Sequence, residues 1–155
     1  MCTRLEFISE HHESDFSDWL SSEPDTYSFI VKSAPDADTA SSLFGALLAK
    51  SQAPDFSAWL VLDQNSVLVG YTELKRTEKA ARENERELIY AIRERFRGKG
   101  HATRAVRQLS KKCAFEVSAY VNPQNEASLR VLQKNEFKQQ PTDCAGLKFV
   151  HVAYT

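Results

Sequence analysis

The sequence predicts an α/β fold of the α+β type, in which a mixed sheet carries helices on both faces. Runs with strand patterns alternate with runs of helical spacing along most of the chain. A strand, helix and strand at Leu88 to Ile92, Gly100 to Lys112 and Ala114 to Val121 predict a central βαβ unit. With 155 residues, 42% of them hydrophobic, residues 1–155 have the size of one globular domain.

The first half of the chain is predicted to form a strand, two helices and a hairpin. The short alternating strand RLEFI precedes a helix with a serine at its candidate N-cap, within SEHHESDFSDWLSS. A second helix is expected within DADTASSLFGALLAK, capped near Asp36 or Asp38. Two β-rich runs between Phe56 and Leu74 flank DQN, which is turn chemistry, so they predict an antiparallel hairpin.

The second half contains the βαβ unit and two further elements. The segment KRTEKAARENERE before the unit is charged throughout and is expected to be a solvated connection. After the unit, NPQNEASLRVLQKNEF predicts a capped helix and LKFVHVAYT a final strand.

Charge is unevenly distributed along the chain although the formal net charge is only −1. The balance opposes a general nucleic-acid or membrane-surface binder. Between Leu5 and Val31 the chain has acids and no Lys or Arg, whereas Arg93 to Lys112 has eight cations against Glu94. Both runs could be solvated faces. The acids of the first segment are Glu6, Glu10, Glu13, Asp15, Asp18, Glu23 and Asp25.

Cysteine and histidine spacing gives no sign of a disulfide framework or a metal site. Cys2, Cys113 and Cys144 are odd in number and widely spaced, which fits a reduced cytoplasmic protein. His11 and His12 are adjacent rather than one helical turn apart, so no metal is expected. The sequence also contains no signal-peptide or membrane-span pattern.

Two glycines, Gly98 and Gly100, stand immediately before the helix of the βαβ unit, among cations. Glycine allows the backbone to approach a ligand, and the first amides of a helix bind phosphate. A tight strand-to-helix turn would also require glycines. The Walker spacing is absent, and the dinucleotide fingerprint is incomplete because Thr103 stands at its third glycine position.

Two segments resemble the GCN5-related N-acetyltransferase (GNAT) family. In RERFRGKGHATRAV, Arg95, Gly98 and Gly100 match the acetyl-coenzyme A signature R/Q-x-x-G-x-G/A. The downstream VNPQNEASLRVLQKNEF is similar to the family's helix that follows an Asn and contains a Ser. The residues of both segments look most like those of the subgroup that includes the ribosomal-protein N-terminal acetyltransferases. The resemblance covers about Glu87 to Phe137 and implies a mostly antiparallel GNAT-like sheet.

The resemblance also implies a binding site for acetyl-coenzyme A (acetyl-CoA) as co-substrate. Backbone amides of the glycine turn would hold the pyrophosphate, cations would add charge, and two residues of the downstream helix would line the pantetheine and thioester end. These candidate cofactor-binding residues are Ile92, Arg95, Phe96, Arg97, Gly98, Lys99, Gly100, His101, Ala102, Asn125 and Ser128.

Catalytic groups are less well determined. Many members of the family have a Tyr as general acid where this chain has Leu132, and the usual Gly before the final Phe is Glu136. Glu87 corresponds to an acidic position of the subgroup and is the candidate base, acting directly or through water. The reserve base is Glu73. Tyr90 and Tyr120 are candidate proton partners, although Tyr in a strand is usually part of the core.

Two functions remain open on these grounds. The first is acetyl transfer from acetyl-CoA to a primary amine, either a protein N-terminus or a small amine. The second is a non-catalytic acyl-CoA-binding sensor or interaction domain of the same fold. The acidic N-terminal segment favours a basic acceptor. We expect no nucleic-acid or membrane partner and a monomer or homodimer in the cytoplasm.

Overall fold

The computed structural model describes residues 2–78, 80 and 82–151, and its centre is a seven-stranded sheet. The strand order is β1-β2-β3-β4-β5-β7-β6, and every adjacent pair is antiparallel except β4 and β5. The mixed, mostly antiparallel sheet predicted above is therefore confirmed. The strands are β1 (Thr3–Phe7), β2 (Phe56–Asp63), β3 (Leu68–Lys75), β4 (Glu85–Ile92), β5 (Glu116–Val121), β6 (Lys138–Gln140) and β7 (Leu147–His151).

Helices cover both faces of this sheet, because each strand alternates apolar side chains between two cores. One core packs Phe16, Trp19 and Phe44 of the N-terminal helices against β2 and β3. The other packs Val106 and Leu132 of the later helices against β3, β4, β5 and β7. The helices are α1 (Glu13–Ser22), α2 (Pro24–Ile30), α3 (Ala40–Lys50), α4 (His101–Lys112) and α5 (Glu126–Lys134).

Several boundaries differ from the sequence-based expectation. The second predicted helix starts later, at Ala40, because the Thr39 hydroxyl accepts the Ser42 amide and caps it, which Asp36 and Asp38 do not do. Helix α2 and strand β6 were not predicted. The final strand is described through His151, and residues 152–155 lie outside the described part of the chain.

The expected solvated connection before β4 is too long by four residues, Lys75 at the end of β3 and three residues at the start of β4. Glu85, Arg86 and Glu87 belong to β4, and each is at most 8% exposed. The burial of Glu85 is compensated by Lys148 of β7, whose Nζ lies 2.9 Å from its carboxylate. A charged run in sequence is thus an interior strand end in the fold.

Candidate active site

The two parallel strands of the βαβ unit pair over only part of their length. The ladder between β4 and β5 joins Glu85 to Glu116, Arg86 to Val117 and Glu87 to Ser118. Beyond Glu87, β4 continues to Ile92 in register with β3, whereas β5 continues in register with β7. Among the described residues, the last five positions of β4 therefore have no ladder partner on the β5 side, and a gap opens between the strands.

The glycine turn lies at the end of this gap. Gly98 and Gly100 have φ angles of 77° and 83°, in the left-handed region that side chains with a Cβ rarely adopt. Gly100 is the N-cap of α4, so the first free amides of the helix follow it directly. The turn has the geometry that phosphate binding at a helix start requires.

A groove of about 670 Å³ connects the strand gap, the glycine turn and the face of α5. It brings together nine of the eleven predicted cofactor-binding residues. Those lining it are Ile92, Phe96, Arg97, Gly98, Gly100, His101, Ala102, Asn125 and Ser128.

Arg95 and Lys99 are not part of the groove lining and pack against Phe96 instead. The guanidinium carbon of Arg95 lies 4.7 Å from the centre of the ring, and Lys99 Nζ lies 5.8 Å from it. Both are cation–π contacts. Arg97 does line the groove, and its Nε donates to the Ile92 carbonyl at 2.9 Å, which orients the guanidinium.

His101, the first residue of α4, is a buried, neutral hydrogen-bond donor at the glycine turn. Its Nδ1 lies 3.0 Å from the hydroxyl of Thr3, and that hydroxyl accepts from Arg104 Nε at 2.8 Å. Arg104 Nη2, which can only donate, lies 3.4 Å from the same Nδ1, so Nδ1 is an acceptor and the ring proton is on Nε2. Burial lowers the pKa of His101, and Arg104 lowers it further.

Helix α5 contributes two cations that the sequence analysis did not single out. Arg130 and Lys134 line the groove one helical turn apart, together with Val131. Their spacing was the available signal, since residues four apart share a helix face. Asn125 has a local role as well, because its side chain accepts the Ser128 amide at 3.2 Å and caps the helix.

Tyr90 lines the groove beside Ser128, at the point where β4 leaves β5. Burial raises the pKa of its phenol, and the neighbouring Ser128 partly opposes that rise. Tyr90 therefore keeps its proton at neutral pH. Leu132, at the position where many family members have Tyr, is fully buried in the core with Val106 and Leu109.

Glu87 and Glu73, the two candidate bases, lie on the same face of the sheet outside the groove lining. Glu87 is 8% exposed and lies opposite Lys75 in the ladder between β3 and β4. Tyr90 lies three residues further along β4, about 10 Å along the strand, and its side chain is on the opposite face of the sheet from Glu87. Proton transfer between the groove and Glu87 therefore requires intervening water.

Glu73 is fully buried in a polar cluster below the N-terminal helices. The Ser33 hydroxyl lies 2.9 Å from both carboxylate oxygens, Tyr71 donates at 3.3 Å, and Lys75 Nζ lies 3.9 Å away. Burial raises the pKa of Glu73, which Lys75 and Ser33 partly offset. The cluster joins the turn after α2 to the sheet.

Of the seven acids in the N-terminal segment, the groove lining includes Asp25. It belongs to α2, which also contributes Thr26 and Phe29. Glu13, Asp15 and Asp18 are exposed on α1 and do not line the groove.

His11 and His12 converge on Glu6 despite their adjacency in sequence. Each Nε2 lies 3.1 Å from the same oxygen of Glu6. The Ser9 amide donates to His12 Nδ1 at 3.1 Å, so the proton of neutral His12 lies on Nε2 and points at Glu6. This proton occupies the position that a metal ligand would need free, and hydrogen bonding accounts for the cluster.

The three cysteines are free thiols, as their spacing predicted. Burial raises the pKa of Cys113, which packs beside the core of α4 and α5 and is a poor nucleophile at neutral pH.

Within the described residues, no helix has the length and apolar character needed to cross a bilayer.

Comparison with protein families identifies the domain. The model of the acetyltransferase (GNAT) domain matches residues 4–138. The chain belongs to the GNAT family. It is therefore an N-acetyltransferase with acetyl-CoA as the acyl donor, and the family resemblance stated from sequence is confirmed. A search of curated protein sequences finds no significant match.

Solved structures confirm the GNAT fold at low sequence identity. RimL, the ribosomal L7/L12 alpha-N-protein acetyltransferase in complex with coenzyme A, has a TM-score of 0.78 and 12% identity over 97% of this chain and 94% of that chain. The aminoglycoside acetyltransferase AAC(6′)-Ib in complex with coenzyme A has a TM-score of 0.72 and 17% identity over 97% of this chain and 95% of that chain. Spermidine N-acetyltransferase from Vibrio cholerae has a TM-score of 0.69 and 11% identity over 97% of this chain and 93% of that chain.

Proposed function

We propose that this GNAT domain transfers the acetyl group to a primary amine by direct attack on the thioester. The observation that carries the proposal is the gap beyond Glu87, whose walls are the unpaired edge of β4 and the start of α5. The pantetheine arm fits between these walls while the pyrophosphate meets the glycine turn. The acetyl group is then held beside Tyr90 and Ser128.

The reaction forms one C–N bond and breaks one C–S bond. An ammonium acceptor first loses a proton, the amine lone pair attacks the thioester carbon, and collapse of the tetrahedral intermediate expels the thiolate of coenzyme A. The thiolate takes one proton to become the free thiol, and the amide nitrogen loses another. The amide of Ile92 faces the gap, because the flanking Arg93 amide donates to Val69 of β3, and it stabilises the oxyanion.

Tyr90 is the group we propose as proton donor to the departing thiolate. It lines the groove, and its raised pKa keeps it protonated at neutral pH. Glu87 serves as base through water, because it lies on β4 but outside the groove lining. This assignment replaces the helix tyrosine of other family members, whose position is occupied here by buried Leu132.

The acceptor we propose is an amine with additional positive charge. The structural neighbours include enzymes whose names specify a ribosomal protein N-terminus, an aminoglycoside and spermidine. All three acceptor types present a primary amine. The acidic N-terminal segment of this chain favours cationic members of that range by raising their local concentration.

The test measures release of free thiol from acetyl-CoA with amine and peptide acceptors, with mass spectrometry of the acetylated product. Glu87→Gln should lower kcat about a hundredfold, the contribution of a general base, and leave acetyl-CoA affinity unchanged. Tyr90→Phe should lower kcat by a smaller factor while retaining the ring. If Glu73→Gln shows the larger loss and Glu87→Gln retains full kcat, the base is Glu73. Tight acetyl-CoA binding without acetylation of any acceptor would instead support the non-catalytic binding domain.

A further inference from the structure

Helix α2 forms a wall of the groove distinct from those of the glycine turn and α5. Within the described part of the chain, the N-terminal third reaches the groove through three residues of this helix, Asp25, Thr26 and Phe29. The acceptor must approach the thioester past one of the groove walls. The glycine-turn and α5 walls contain the cations suited to the cofactor phosphates, so α2 is the wall that remains for the acceptor.

The helix is held in place at its start and at its middle. At its start, the Glu23 carboxylate accepts the Glu94 amide, with both oxygens at 3.3 Å, and lies 3.6 Å from Arg97 Nη2. At its middle, the Tyr27 hydroxyl donates to the Ala37 carbonyl at 2.9 Å. Side chains on the groove face of α2 are therefore presented at fixed positions relative to the glycine turn.

Asp25 and Phe29 stand four residues apart and share this groove face. Asp25 is exposed, and Phe29 is 40% exposed, which is a large solvent contact for an aromatic ring. A carboxylate beside an exposed aromatic face is a combination that binds ammonium and guanidinium groups, through charge and through the ring quadrupole.

The cofactor does not explain this pair. Coenzyme A carries its charge on phosphates, which the Asp25 carboxylate repels. The cations of the groove, Arg97, Arg130 and Lys134, belong to the turn and to α5, so the positive and negative walls are separate elements. The groove has one side for an anionic ligand and another for a cationic one.

We propose that Asp25 and Phe29 bind a second cationic group of the acceptor, an ammonium or guanidinium distinct from the amine that is acetylated. The inference rests on the proposed function, since it concerns the acceptor of that reaction. It defines the preferred substrates as molecules with at least two positive charges, either small polyamines or peptides with Lys or Arg near the N-terminus.

Matched acceptors test the proposal. The small-molecule pair is 1,4-diaminobutane and 1-aminobutane, which differ in the second ammonium, and the peptide pair is Ser-Arg-Ala-Ala and Ser-Ala-Ala-Ala. The wild-type protein should use the doubly charged member of at least one pair with kcat/KM higher by about tenfold. Whichever pair shows the preference identifies the source of the cation.

Two variants locate the preference. Asp25→Asn should reduce the advantage of the acceptor with two cationic groups to about twofold or less through KM and leave kcat/KM unchanged for the member with one cationic group, and Phe29→Leu should reduce the advantage partially. The control Asp18→Asn removes an exposed acid from α1, outside the groove lining, and should retain the full advantage. Acetyl-CoA affinity, measured by calorimetry, should be unchanged in all three variants.

The contradicting outcomes are distinct. If the wild-type protein uses both members of each pair equally, acetyl transfer stands and the cation site is wrong. If Asp18→Asn removes the advantage as fully as Asp25→Asn, the preference comes from general charge and the assignment to α2 is wrong. If Asp25→Asn weakens both members of a pair equally, the residue shapes the helix and does not bind the cation. If no acceptor is acetylated, the proposed function fails and the inference falls with it.

Discussion

Of the two glycines in the proposed phosphate-binding turn, Gly100 leaves less room for a side chain than Gly98. Its φ is 83°, and a Cβ at this position would lie 2.6 Å from Arg104 Nη1. Gly100→Val therefore strains the backbone by roughly 1–2 kcal/mol and displaces the guanidinium that donates to the Lys99 carbonyl. We expect acetyl-CoA affinity, measured by calorimetry, to fall at least about tenfold, while circular dichroism reports a folded protein.

Gly45 provides the matched control for this variant. It lies in α3, and a Cβ there would meet no atom within 4 Å. Gly45→Ala should keep wild-type affinity and gain up to about 1 kcal/mol of stability from helix propensity. Retained acetyl-CoA affinity in a folded Gly100→Val protein would show that this glycine serves the turn alone.

The sequence predicted some residues of the site and missed others for physical reasons. The glycine turn has a local signature, because positive φ and a helix start are properties of adjacent residues. Tyr90 could not be distinguished from a core tyrosine, since its access to the groove depends on where β4 and β5 separate. The convergence of His11 and His12 on Glu6 likewise depends on a turn that bends the chain back to β1.

Glu23 links α2 to the glycine turn, the two elements that we propose bind the acceptor and acetyl-CoA. Glu23→Gln removes the charge that faces Arg97 and weakens the acceptance of the Glu94 amide. A lost hydrogen bond of this kind is worth about 1 kcal/mol, so amides of residues 24–30 should exchange about fivefold faster with deuterium. Hydrogen exchange with mass spectrometry measures the change.

The comparison variant for this experiment is Glu10→Gln, which removes an exposed acid before α1. It should leave exchange in α2 at the wild-type rate. Unchanged exchange in Glu23→Gln would mean that packing of Thr26 and Ile30, which are buried, holds the helix without the carboxylate.

Short or charged elements were the ones that sequence patterns did not predict. Helix α2 has seven residues and begins at Pro24, one residue after α1 is capped, so its apolar positions are too few to define a period. Strand β6 has three polar residues. The charged start of β4 is stabilised by Lys148, 63 positions away, a partner that no local pattern reveals.

At the scale of the whole molecule, the order of elements was enough to predict the sheet and its βαβ unit, because each longer element has a clear apolar period. The gap that makes the site is a tertiary property. It arises because β4 follows β3 while β5 follows β7, and the two halves of the sheet diverge beyond Glu87 and Ser118. The strand registers give the position of this gap.

The measurement that tests this account most directly is the shift in thermal midpoint caused by acetyl-CoA compared with acetylpantetheine, its analogue without the nucleotide phosphates. At a hundredfold excess over the dissociation constant, acetyl-CoA should stabilise the protein by about 3 kcal/mol, seen by scanning calorimetry as a rise of several degrees. Acetylpantetheine at the same concentration should cause a much smaller rise, because it leaves the glycine turn unoccupied. Equal shifts with the two ligands would contradict the assignment of the glycine turn as the phosphate site.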